Sequence, residues 1–172
     1  WWSNSDADVT TRACFFDDEF VFNADGSFMN VLGDQTWLET WQAPLEGCGA
    51  PVAPHDGSNA ATWTYDEMAG TITLNGLGAY LGLPKVFNGG EIDNPADAKE
   101  SITYPVVIDG NTMTIEIEIA GGAYWRFILE KQETTSSTIV DIVVGSEDHD
   151  TLEAAVIAAD LAGTLSGAGP FT

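Results

Sequence analysis

Three features of this sequence predict a mainly β fold, an antiparallel barrel or sandwich followed by a short α-helical C-terminal segment. Several segments between residues 13 and 131 alternate apolar and polar side chains with the period of two of a half-buried strand. Turn-forming text separates them: Asn23-Ala24-Asp25-Gly26, Glu67-Met68-Ala69-Gly70 and Asp109-Gly110-Asn111. Two long irregular stretches, 43–61 and 76–99, carry prolines and glycines and read as loops that cover the end of a sheet or carry function.

Residues 13–23 (ACFFDDEFVFN) alternate, turn at Gly26 and return over 27–32, giving the clearest hairpin signal. Trp37 and Trp41 stand four apart in TWLETWQ, which predicts one helical turn burying both indoles. A second hairpin is predicted from 62–66 and 71–75, with Trp63, Tyr65, Ile72 and Leu74 on its apolar face. A third joins 102–108 to 113–119, where Met113, Ile115, Ile117 and Ile119 point one way and Thr114, Glu116 and Glu118 the other. Residues 124–131 close the set. The expected core adds Phe16, Phe20, Phe22, Trp125, Phe127 and Leu129 to these strands.

Residues 132–137 (QETTSS) read as a polar linker. Beyond it a helix is predicted over Thr151–Leu161, with Asp150 as cap, Glu153 reaching back as in a capping box and Gly163 ending it. Leu152, Val156 and Ala159 line one face. An isolated helix of this length is marginal in water, so its apolar side is expected to be covered by the β module, a neighbouring copy or further chain.

Charge narrows the function. The 172 residues contain 27 acidic and 5 basic side chains, a formal net charge of −22. Arg12, Lys85, Lys99, Arg126 and Lys131 are scattered singly, and nucleic acid is excluded because phosphate binding needs clustered cations. No apolar run approaches the roughly 20 residues of a membrane-spanning helix. With two cysteines and two histidines, no zinc site is predicted.

Two stretches carry a resemblance. Residues 138–172, TIVDIVVGSEDHDTLEAAVIAADLAGTLSGAGPFT, resemble the opening of a fasciclin-type adhesion domain: an Ile-Val-Asp-Ile segment, a helix, then a Leu-Ser-Gly-x-Gly-Pro-Phe-Thr entry into a core strand. Residues 14–28, CFFDDEFVFNADGSF, resemble the Cys-x-x-Asp-Asp-x-x-x-Phe-Asn-x-Asp-Gly-x-Phe stretch of lipocalin-like β domains in exported proteins of marine Bacteroidetes-type bacteria. Together they imply a lipocalin-like β module (1–131), a linker (132–137) and an incomplete fasciclin-like segment (138–172). The incomplete segment, and a start at Trp1-Trp2 without initiator Met or signal sequence, give the expectation of a piece of a longer exported polypeptide. In such a setting Cys14 and Cys48 are expected to form a disulfide.

Candidate chemistry follows from residue types. Alternation places Asp18 on the face of Cys14, Phe16, Phe20 and Phe22, where a carboxylate needs a partner; a structural role with backbone, Arg12 or Arg126 as donors and a ligand contact both stay open. Calcium held by Asp17, Asp25 or the Asp6/Asp8 pair is a lower-ranked alternative to no cofactor. Sugars bind by stacking on aromatic rings and by hydrogen bonds to Asn, Asp and Gln, so Tyr80, Phe87, Asn88 and Glu91 in the Gly-rich loop are the predicted ligand-binding set, with Trp1 and Trp2 as extensions. Catalysis is not expected. Glu91-Ile92-Asp93 resembles the Glu-x-Asp core of a retaining β-glucanase strand, but Asn94-Pro95 breaks the strand that must present the second carboxylate. His55, in Pro-His-Asp-Gly, reads as a turn residue.

The expectation is a non-catalytic, secreted or cell-surface adhesion module that binds polysaccharide or extracellular matrix. Its rivals are an ancillary module of a secreted glycoside hydrolase and a filament subunit that self-associates through 138–172.

Overall fold

The chain opens with helical turns rather than a strand. In the computed structural model, which describes residues 3–132, Val140, 150–159, Leu161 and Leu165, Ser5 caps helix α1 (Asp6–Thr11). The cap is reciprocal: Asp8 N–H donates to Ser5 Oγ at 3.3 Å, and Ser5 N–H donates to Asp8 Oδ2 at 2.8 Å. A second helical turn, α2 (Ala13–Phe16), follows directly. Residues 13–16 therefore do not belong to the first strand as alternation implied. Phe16 points outward and is 47% exposed, because helical periodicity separates it from Cys14 and from Phe15, which packs against the core.

Antiparallel pairing then builds the sheet. Strand β1 (Glu19–Phe22) turns through Asn23–Gly26 into β2 (Ser27–Val31), with Phe22 opposite Phe28. Gly26 has φ +85°, a conformation that costs a residue with a Cβ. Strand β3 (Thr36–Leu38) pairs with β4 (Gly47–Gly49) in a separate two-stranded ribbon. Trp37 is thus on a strand and not in the predicted helical turn, of which only residues 39–43 remain, with the Gln42 and Ala43 N–H groups donating to Glu39 O at 2.9 and 3.2 Å around Trp41. Both faces of β3 are covered, so its three residues are all buried. Gly49 lets the ribbon close, since a Cβ there would stand 2.7 Å from the Leu38 side chain.

The remaining hairpins fall where the sequence put them, as β5 (Ala61–Asp66) with β6 (Thr71–Asn75) and β9 (Ser101–Asp109) with β10 (Thr112–Ala120), followed by β11 (Ala123–Glu130). The seven strands form one curled antiparallel half-barrel in the order β1-β2-β5-β6-β9-β10-β11. Tyr65 is a correction to the expected core. It lies at the turn end of β5 and is 44% exposed, while Ile72 opposite it is buried.

Strand β9 changes partner midway. Ser101–Pro105 pair with β6, and Val106–Asp109 pair with β10. Pro105, which has no N–H to donate, sits where the partner changes. A small hairpin, β7 (Val86–Phe87) with β8 (Gly90–Glu91), bridges the resulting gap. Gly89 N–H donates to Glu118 O at 2.9 Å, and Asn88 Oδ1 accepts from Thr103 N–H at 3.3 Å.

The Gly-rich stretch before this hairpin is a plug, not an exposed loop. Ala79, Tyr80, Leu81, Leu83 and Val86 are buried with Phe28, Leu74, Ile115 and Ile117. Asn30 holds it from one side, its Nδ2 donating to Tyr80 O at 2.9 Å; Tyr104 holds it from below, its hydroxyl oxygen accepting from Leu81 N–H at 3.1 Å. Tyr104→Phe leaves that buried N–H without a partner and should destabilise by about 1–3 kcal/mol. Urea denaturation checks this, and an unchanged midpoint with an unchanged slope refutes it.

The chain divides into two compact units, Trp1–Lys131 and Gln132–Thr172. In the second, helix α3 spans Asp150–Ala158, so Asp150 is its first residue rather than a residue outside it. Leu152 and Leu161 remain 47% and 45% exposed and Val156 is half-buried. The predicted linker, the Ile-Val-Asp-Ile segment and Gly163 lie outside the described residues.

Candidate functional site

Polar chemistry concentrates in two places, the rim beside β7 and β8 and an interior cluster under β3. At the rim, β8 presents Glu91, whose Oε1 accepts from Trp125 Nε1–H at 2.6 Å. Lys85 Nζ lies 5.2 Å from the Trp125 ring centre, donates to Glu39 at 3.2 Å and stands 3.9 Å from Glu91. Trp125 stacks on Phe127 with centroids 6.0 Å apart. Phe87, half-buried, carries Lys99 Nζ 4.1 Å above its ring. Pro84, Lys85, Phe87, Ile92 and Lys99 lie around one spot with the buried His55, Val86 and Ile102, and the space between them is too small to admit a water molecule. Among the described residues the rim therefore encloses no small-molecule cavity, and what it offers is surface.

The structure sorts the predicted ligand-binding set. Phe87, Asn88 and Glu91 share this rim. Tyr80 does not: it is 2% exposed, packed edge-on against Phe20 and His55. Its place in a glycine-rich stretch without periodicity suggested exposure, but the anchoring by Asn30 and Tyr104 turns it inward. Asn88 has a structural task as acceptor for Thr103. Trp1 and Trp2 lie outside the described residues. Trp125 packs against the core as alternation implied, and its second role at the rim, through Nε1–H to Glu91, is what sequence reasoning missed, since nothing local shows that β11 is an edge strand.

The interior cluster is built around Asp18. Thr36 Oγ1–H donates to its Oδ2 at 2.7 Å, whereas Oδ1 is buried without a partner. Thr36 thus takes the role expected of Arg12 or Arg126. Arg12 lies 4.2 Å over Trp37 and reaches Glu46, and Arg126 pairs with Glu116. Burial pushes the Asp18 carboxyl up to about 7, Asp17 adds to the rise and the Thr36 hydrogen bond opposes it. His55 closes a turn, as its sequence context predicted, its N–H donating to Val52 O at 3.0 Å, while its ring faces inward. It is buried between Trp41 and Tyr80, ring centres 5.6 and 6.0 Å away, with Nδ1 unpartnered. Burial pushes it down to about 4, against the pull of Asp56. Burial, and next the Asp18 charge, push the Tyr80 phenol upward.

The calcium alternative finds no assembled donor set. Asp8 serves the α1 cap and Asp25 Oδ1 accepts from Ser27 N–H at 2.9 Å. Among the described residues no three His, Cys, Asp or Glu side chains converge on one point. The expected disulfide is present between Cys14 and Cys48, Cα atoms 6.0 Å apart, and ties α2 to β4. Among the described residues no helix is long and apolar enough to cross a membrane.

Fold and rim define a mainly β module with a disulfide and an aromatic, charge-lined edge. No family model, curated protein or solved structure matches the chain.

Proposed function

We propose that the chain is a non-catalytic recognition module of a secreted or cell-surface protein, binding polysaccharide or extracellular matrix along the rim of Phe87, Glu91 and Trp125. The observation that carries this reading is a pair of partly accessible aromatic rings at the β7–β8 hairpin, each under a lysine ammonium: Trp125 with Lys85 and the Glu91 carboxylate, and Phe87 with Lys99. Aromatic faces take the CH faces of sugars, and the charged groups take their hydroxyls. The disulfide favours an oxidising compartment. The lipocalin-like reading of 1–131 and the fasciclin-like reading of 138–172 rest on the sequence resemblance, beside an antiparallel meander and a short helix.

Phe87→Leu keeps most of the apolar packing and removes the aromatic face, while Glu91→Gln removes the charge. Each should weaken retention on the best polysaccharide of a glycan array by about tenfold. The melting temperature should stay within a few degrees. Retention unchanged in both variants sinks the proposal. A second reading, a filament subunit, is favoured by the half-exposed Leu152 and Leu161; sedimentation velocity showing higher oligomers would support it.

A further inference from the structure

Resting on that reading, we infer that the rim selects acidic polysaccharide, with Lys99 receiving the carboxylate of a uronate-type sugar that lies on Phe87. Lys99 is the anomaly of this surface. In a chain with 27 acidic residues and 5 basic ones, the other described cations at or near the rim have carboxylate partners: Lys85 has Glu39, and Arg126 has Glu116. Lys99 has none among the described residues, and its ammonium rests on the Phe87 ring alone. In a strongly anionic chain, a lysine whose ammonium sits on an aromatic ring and meets no carboxylate is placed where a carboxylate could be supplied from outside.

Phe87 decides between neutral and acidic sugars. One face of its ring is closed by the chain, since a Cβ on Gly90 would stand 2.8 Å from the Phe87 ring tip. Lys99 covers the ring at 4.1 Å. A neutral sugar stacking there must displace the ammonium and leave it unpaired. A uronate takes the ring and gives the displaced ammonium a charge-assisted hydrogen bond in return. The differential interaction, not the aromatic contact itself, provides the selectivity. The net charge of −22 opposes any polyanion at long range. In about 0.5 M NaCl the screening length falls to roughly 4 Å, so that repulsion is suppressed more than the direct contact.

The test compares retention on immobilised polygalacturonate and on its carboxyl-reduced form, in about 0.5 M NaCl, for the whole chain and for Lys99→Gln, Lys99→Arg and Phe87→Leu. The expected result is about tenfold stronger retention on the acidic polymer, lost in Lys99→Gln, kept in Lys99→Arg and lost with Phe87→Leu. Equal retention on the two polymers, or Lys99→Gln behaving as the parent chain, overturns the inference while leaving polysaccharide recognition standing. Retention on neither polymer, nor on any glycan of an array, overturns both. Matching thermal melts of the Lys99 variants and the parent tie the loss to the site and not to unfolding.

Discussion

Opening the Cys14–Cys48 bridge, by reductant or by Cys14→Ser with Cys48→Ser, is expected to lower the stability of the β module by about 3–4 kcal/mol. The bridged residues are 34 apart in sequence, and the loop they close contains β1, β2 and β3. In the chain-entropy account the stabilisation comes from the unfolded chain, which loses freedom when such a loop is closed. The native contacts around the bridge are modest: Arg12 over Trp37, Arg12 with Glu46, and Phe15 on the core. They have little capacity to compensate. Urea denaturation with and without reductant measures the effect, and a midpoint that does not move shows that the bridge is dispensable.

Asp18→Asn should stabilise the protein at neutral and alkaline pH and do nothing at about pH 3.5. The folded carboxyl titrates near 7 against an ordinary 3.8. The folded state therefore favours the proton, and stability from this group is complete below pH 3.8 and is lost as the pH climbs to about 7. The loss amounts to at most about 4 kcal/mol, since part of the carboxyl still reaches water. Asn keeps an oxygen for the Thr36 hydroxyl and carries no charge to bury. His55 acts in the opposite direction. Held neutral, with a folded value near 4 against 6.5, it withdraws about 3 kcal/mol as the pH falls from 6.5 to 4. The two slopes nearly cancel in the parent chain. Asp18→Asn should thus expose the His55 slope, stability rising with pH between 4 and 6.5. A variant that is weaker than the parent at every pH would falsify this account and show Asp18 to be ionised and paired.

Most strands were legible because period-two alternation survives wherever one sheet face meets the core and the other meets water. Met113, Ile115, Ile117 and Ile119 against Thr114, Glu116 and Glu118 locate β10 without any tertiary knowledge. The same rule misread residues 13–16, where the capped helix before them and the disulfide at Cys14 outweigh alternation. A different rule misplaced Trp37: its spacing of four from Trp41 fits a helical turn, while a strand covered on both faces has no alternation to reveal it. Of the rim, Phe87 and Glu91 were found from their residue types. Trp125 was hidden in a core stripe, and Tyr80 was mistaken for surface.

Local chemistry in the sequence by itself determined the hairpins, their turns, the helix in the tail and the overwhelming negative charge, since each depends on neighbours a few residues away. Long-range packing decided the rest. The partner change of β9 at Pro105 opens a gap, the β7–β8 hairpin fills it, and only then do Phe87, Glu91, Lys85 and Trp125 share an edge. Asp18 and His55 acquire their unusual protonation in the same way, because desolvation is set by elements distant in sequence that close over them.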